Sequence, residues 1–321
     1  MVLTRIQASD FQAEKTKKEN LSRLEAIAQF SAQGKPSAVD IVGDVFDTHI
    51  LQEISASSPQ KNIKALLEAK PELKKTITEY ITLIGNLQQT YGKDIDEKSS
   101  PEEKSVRQKL EENIARSGYN DAQAQDFIES VRSYYSECAK ALAPIKAPIY
   151  FIRGNNDTNT MQDILKGRYP ELEGKLIEDG KFRIIGLNNT NYPLEDILTN
   201  MGMGAAHVPP DFSTAYSKYS AKKTGKKANV IMMHGPPNGF RDGQDGKAGE
   251  DITKLLDEHT PDKGFLLVEC GHFHKAKLEA VKSKDGKKGY IIARSSPNIF
   301  FEHSFDDNGN YLSTHIYKHK N

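Results

Sequence analysis

A chain of 321 residues with 44 Lys plus Arg against 44 Asp plus Glu can bury a large core, and its zero formal charge argues against a general nucleic-acid field or an acidic solvating tail. Its two cysteines, Cys138 and Cys270, form no CxxC pair, which argues against a disulfide framework and a thiolate zinc site and fits a reducing compartment. The start, MVLTRIQASDFQ, turns polar at once, and no apolar run approaches the roughly 20 residues of a membrane helix, so a soluble cytoplasmic protein is expected.

In chain order, Val2 to Ser9 can make a first strand ending at Asp10-Phe11-Gln12. Lys15 to Phe30 puts Leu21, Leu24, Ile27 and Ala28 on one helical face, with Gly34 and Pro36 as its stop. The second strand, Val39 to Val42, is an apolar run with one acid in it, closed by Gly43 and delivering Asp44. The chain therefore opens as a βαβ unit with a parallel sheet and a right-handed crossover.

From residue 58 to 146 the pattern is helical and reads as an insertion within one domain spanning 1–321. Leu73, Ile77, Tyr80, Ile84, Leu87 and Tyr91 form a seam, and Phe127, Ile128, Val131, Tyr134, Tyr135 and Cys138 give a later helix a broad apolar side. The seam is shorter than the roughly three to four heptads of a coiled coil, so an insertion that packs on itself is preferred to a dimerisation arm. Oligomeric state is left open by these patterns.

Pro148 to Ile152 is a third strand, running into Arg153-Gly154-Asn155-Asn156-Asp157. Lys175 to Asn188 reads as two strands about Asp179-Gly180. Asn229 to Met233 is a strand ending at His234, a helix follows around Asp251 to His259, and Gly264 to Cys270 ends at Gly271-His272-Phe273-His274. From Lys288 onward the runs YIIA, NIFFEHSF and YLSTHIY are expected to be antiparallel strands completing a second sheet.

Apolar strands thus end on Asp10, Asp44, Asn155, His234, and the pair His272 and His274. In open α/β sheets the carboxyl edge is where catalytic groups gather. One such residue alone is usually a turn or a satisfied polar group; the ordered set points to a metal site. Spaced two apart, His272 and His274 would share one face of an extended segment and could grip two adjacent ions. Carboxylate, carboxamide and imidazole donors suit Mn²⁺, Fe or Zn²⁺ better than Ca²⁺ or Mg²⁺.

The order DxQ, GDxxD, GNND, HGPP and GHFH resembles the motif series of the calcineurin-like metallophosphoesterase superfamily. The resemblance implies a four-layer α/β/β/α sandwich, here with a helical insertion. It implies two divalent ions, with Mn²⁺ favoured and Fe or Zn²⁺ as alternatives. Asp10, Asp44 and His274 would hold the first and Asn155, His234 and His272 the second, with Asp44 shared. Such ions lie about 3.5 to 4 Å apart and activate a water for in-line attack on phosphorus.

Two departures from the family pattern bear on function. Gln12 stands where motif one usually has His, a neutral and poorer ligand. Asn156 stands where many members have a catalytic His, with Asp157 beside it, holding either Asn156 or the loop. These two form the catalytic pair in this reading, and the missing acid directs it toward phosphodiesters. His49, Arg153 and Arg241 are weaker candidates for contacts with substrate phosphate. The expected activity is metal-dependent hydrolysis of a small phosphate ester. A binding scaffold and a nuclease are the alternatives, nucleic acid being disfavoured by the balanced charge.

Overall fold

The computed structural model describes residues 2–11, 16–45, 121–154, 157, 172, 175–187, 219–235, 247–272, 274–282 and 288–319, with single helical positions at 71, 75, 108 and 112. Strand β1 (Leu3–Ala8) leads to helix α1 (Lys17–Gly34), β2 (Ala38–Val42), α2 (Asp121–Leu142) and β3 (Ile149–Ile152). Then follow β4 (Lys175–Asp179), β5 (Phe182–Leu187), the short α3 (Ala221–Thr224), β6 (Val230–Met233), α4 (Lys247–His259) and β7 (Gly264–Cys270). The chain closes with β8 (Lys277–Lys282), β9 (Lys288–Arg294), β10 (Ile299–Phe305) and β11 (Tyr311–Lys318).

The strands form two sheets, one ordered β11-β10-β1-β2-β3 and the other β4-β5-β6-β7-β9-β8. β1, β2 and β3 run parallel, as do β5, β6, β7 and β9, so the strand ends that carry the motifs fall on one edge of each sheet. Alternation sorts each strand's side chains between two faces. Val42, Tyr150, Ile152, Phe301 and Phe305 of the first sheet meet Phe182, Ile184, Val230, Met232, Leu267 and Ile291 of the second in the central core. On the outer face of the second sheet Ile185, Ile231, Met233, Leu266 and Val268 pack with Leu255 and Leu256 of α4. Helices α1 and α2 pack together, and Phe30 of α1 touches Phe300 and Tyr317 of the first sheet. This is a four-layer α/β/β/α sandwich.

Helix α1 begins with a capping box, in which the Glu19 amide donates to the Thr16 hydroxyl and the Thr16 amide to the Glu19 carboxylate. It continues through Gly34 to a left-handed cap at Lys35, ending at the stop that Gly34 and Pro36 signal, with Ser31 still facing the core.

One expectation for the last third needs correction. β10 and β11 do not complete the second sheet: β10 lies antiparallel to β1 in the first, with Leu3 opposite Phe305. β9 does join the second sheet, between β7 and β8. The alternation of a strand records which face is buried and not which sheet supplies its partner. The edge strand β8, KLEAVK, was not anticipated; it is half-exposed throughout and its charges mask the period.

Between the sheets lies a buried polar network. Arg5 donates twice to Asp40, at 2.8 and 2.5 Å, with both side chains fully buried, and its guanidinium lies over the Phe182 ring at 4.8 Å. Gln7 donates to the carbonyls of Cys270 and Ala293, each at 2.9 Å, and accepts from His303 Nε2 at 3.0 Å. Burial, with the Arg5 charge added, pushes His303 down to about 3, so it is neutral. No described helix is long and apolar enough to cross a membrane.

Candidate metal centre

Asp10, Asp44, His234 and His272 follow a strand by one or two positions and His274 by four, where the chain must turn sharply. Asp10, Asp44, His272 and His274 have φ of 53°, 54°, 78° and 52°, and Lys35 is the only other non-glycine residue with positive φ among those described. Left-handed backbone is strained for such residues and persists only where the surroundings hold it. The holding contacts are visible. The Asp10 amide donates to the Gly43 carbonyl at 3.1 Å and the Phe11 amide to the Asp44 carbonyl at 3.0 Å, joining the two loops of the first sheet. The Gly271 amide donates to the His234 carbonyl at 2.9 Å, joining those of the second.

Contacts also cross between the sheets. The His272 amide donates to both oxygens of Asp10, at 2.8 and 3.0 Å, and the Ser9 hydroxyl donates to Asp10 Oδ2. His234 Nδ1 donates to the Val42 carbonyl at 2.8 Å, which turns Nε2 toward Asp44 Oδ2, 3.2 Å away. A ring nitrogen fixed in this way leaves the other as a directed ligand. The glycines permit this closeness. A Cβ on Gly43 would meet His234 Nδ1 and the Gly154 amide, one on Gly154 would meet the Asp44 carboxylate, and one on Gly271 would meet Asp10 and Ser9.

The result is a compact donor cluster. One ligand atom each from Asp10, Asp44 and His274 lie within 4.8 Å of one another, and His274 Nε2 is 3.8 Å from Asp10 Oδ1. Asp10, Asp44 and His234 are at most 1% exposed, whereas the His274 side chain is 46% exposed and forms the open side. The His234 and His272 rings meet edge to face, with centroids 5.3 Å apart. The histidine pair does not lie in an extended segment, since both residues are left-handed; the turn, and not strand alternation, brings them to the site.

The electrostatics fit a cation. Burial raises the Asp10 carboxyl to about 6, with a further push from Asp44, against the lowering effect of His234. Burial works to lower His234, but the Asp44 carboxylate outweighs it and raises the ring to about 9. Two buried carboxylates this close gain from a divalent ion, which would hold both ionised and the imidazoles neutral. Asp10, Asp44, His234, His272 and His274 could therefore hold metal.

Of the two roles expected for Asp157 beside Asn156, holding that residue or the loop, the described contacts are with the loop. Its carboxylate is wholly buried, and Oδ2 accepts the amides of Asp44 and Gly154, each at 2.8 Å. It holds the loop. Arg153 is 5% exposed at the end of β3 and is packed into the fold. Gln12, His49, Asn155, Asn156 and Arg241 lie outside the described residues, as do most positions of the 58–146 segment. Sequence reasoning passed over Ser9, for which adjacency to Asp10 was the available signal. It read Tyr134 and Tyr135 as packing only, although their hydroxyls reach Val45 and Asp157.

The family model described as calcineurin-like phosphoesterase matches residues 121–276, a span from α2 through β7 that includes Asp157, His234, His272 and His274. No curated protein matches the sequence. Among solved structures, a dimetal phosphatase from Danio rerio is similar over 99% of both chains at 9% identity, with a TM-score of 0.53. A Thermus thermophilus protein, TT1561, aligns over 99% of both chains at 10% identity, with a TM-score of 0.48. The first of these likenesses shows the fold, the α/β sandwich of the metallophosphoesterases. Fold and family match together support that superfamily and a metal-dependent phosphoester hydrolase, in a family that normally uses a dinuclear divalent centre. The scaffold and nuclease alternatives are not favoured.

Proposed function

We propose that this chain is a phosphodiesterase dependent on two divalent ions, Mn²⁺ being favoured over Fe or Zn²⁺, and that it acts on a small phosphate ester in the cytoplasm. The observation that carries the reading is the meeting of Asp10, Asp44 and His274 within 4.8 Å, from strand ends of two different sheets. In this assignment Asp10, Asp44 and His274, with Gln12, hold the first ion, and Asn155, His234 and His272 hold the second, with Asp44 shared. When bound, such a pair supplies a water nucleophile at neutral pH and neutralises charge at the phosphoryl group.

The protein's own groups do the rest. The Val42 carbonyl keeps His234 as the Nδ1–H tautomer and aims Nε2 into the site. His274, on the open side, stands where an ester enters. Asn156 can donate an amide hydrogen bond to a phosphoryl oxygen but cannot protonate a leaving group, and the general acid help it forgoes is typically about 10² to 10⁴ in rate. That loss weighs most on esters with poor leaving groups. His49, Arg153 and Arg241 are assigned weaker contacts with substrate phosphate.

The test is hydrolysis of an aryl phosphodiester beside the matching monoester by metal-stripped protein with Mn²⁺ restored. The reading expects Mn²⁺-dependent cleavage that favours the diester and is abolished in Asp44→Asn. Preference for the monoester would remove the diesterase assignment, and turnover indifferent to Mn²⁺ would remove the metal assignment.

A further inference from the structure

We infer that Tyr134 and Tyr135 on α2 are positioning residues for the Asp44 loop, so that the cation affinity of the site is set in part by the helix preceding β3. This rests on the metal-site reading above and concerns its regulation. Asp44 must be held in a left-handed conformation, with φ of 54°, to present its carboxylate beside His234. Three backbone groups around it are fastened. Its amide donates to Asp157 Oδ2 at 2.8 Å, its carbonyl accepts from the Phe11 amide at 3.0 Å, and the next carbonyl, of Val45, accepts from the Tyr134 hydroxyl at 2.7 Å.

The Asp157 clamp is itself supported from α2. The Tyr135 hydroxyl donates to Asp157 Oδ1 at 3.4 Å, leaving Oδ2 to the Asp44 and Gly154 amides. Both tyrosines are fully buried, with ring centroids 5.7 Å apart. Adjacent residues on one helix thus reach the two loops that follow β2 and β3, Tyr134 directly and Tyr135 through Asp157. A buried tyrosine hydroxyl must find a partner; here one finds it on the backbone next to the left-handed Asp44 and the other on the carboxylate that clamps the Asp44 amide. Moving α2 would release both contacts together.

The experiment is calorimetric titration of Mn²⁺ into the metal-stripped full chain, paired with thermal unfolding of the same stripped samples. Tyr134→Phe with Tyr135→Phe keeps both rings and should raise the Mn²⁺ dissociation constant about tenfold. Asp157→Ala should raise it by about 10 to 100-fold, in the range of supporting groups around metal ligands. Asp157→Asn keeps an acceptor for both amides and should recover most of that loss. Leu256→Ala, on the far face of the second sheet, should lower the melting temperature and leave Mn²⁺ affinity unchanged. Wild-type binding that is lost in Asp44→Asn but unaltered in the double Phe variant overturns the inference alone. Absence of binding in the wild type removes the metal reading and this inference with it.

Discussion

Nε2 of His234 lies 3.2 Å from Oδ2 of Asp44, a contact made across the two sheets while Nδ1 is tethered to the Val42 carbonyl. The ring therefore serves the site with one nitrogen and the first sheet with the other. His234→Gln should lower Mn²⁺-dependent ester hydrolysis by at least about 100-fold. In the wild type, Mn²⁺ at a hundred times its dissociation constant should add about 2.7 kcal/mol of stability that a chelator removes. Melting curves with and without chelator check this, and an undiminished Mn²⁺ shift in the variant would count against His234 as a ligand.

Gly154 is where the loops after β2 and β3 touch, and an added Cβ would fall against the Asp44 carboxylate and its amide. Gly154→Ala should destabilise the protein by about 1 to 3 kcal/mol, the usual cost of forced overpacking. It should weaken Mn²⁺ binding as Asp44 is displaced. Denaturant unfolding and metal titration on the same sample measure both effects. Gly180→Ala, at a turn with open space around it, should leave metal binding unchanged.

The Arg5–Asp40 pair is fully buried between the sheets. Removing one partner strands the other charge, so Arg5→Met alone should cost about 3 to 5 kcal/mol. Arg5→Met with Asp40→Leu removes both charges and should recover much of that loss, because the pair's mutual attraction is set against the desolvation of both ions. A double-mutant cycle in denaturant gives the coupling, and simple additivity of the two changes would show that the ion pair contributes nothing.

Glu269 supplies a pH dependence. Its carboxyl hydrogen-bonds with Asp40, and His303 Nε2 stands 3.7 Å from Oε1. Burial raises both Glu269 and Asp40, but Asp40 has the stronger offset from its bidentate Arg5, so Glu269 keeps its proton, well above the ordinary carboxyl range. A raised carboxyl favours the folded state below the unfolded value near 4.5, and that contribution fades as pH climbs toward the folded value. Between those limits the unfolded chain binds fewer protons, and stability falls with pH by about 1.4 kcal/mol per unit. Glu269→Gln removes this slope, so its stability relative to wild type should rise as pH climbs above the unfolded value near 4.5. Parallel profiles for the two proteins would refute the protonated state.

Much of this was open to reading from the chain. The apolar runs before Asp10, Asp44 and His234, and those around Asp179-Gly180, are local signals, and the strands lie where those signals place them. The motif residues could be found because each lies just past the end of an apolar strand. Arg5 and Asp40 were not legible as a pair: 35 residues apart, they meet only because β1 and β2 lie side by side facing the second sheet. Asp157 looked like a chemical group because it follows GNN, yet its Oδ2 is taken by two backbone amides, which no side-chain pattern encodes.

The sequence by itself determined the strand ends, the kinds of donor placed on them and the glycines that make room there, since these depend on burial periodicity and turn chemistry within a few residues. Tertiary structure alone decided that β10 and β11 flank β1, that His272 and His274 reach the site through left-handed turns, and that α2 ties down the Asp44 loop. Those outcomes depend on contacts between segments distant along the chain, where the same apolar alternation or buried tyrosine is compatible with several partners and only the packed whole selects one.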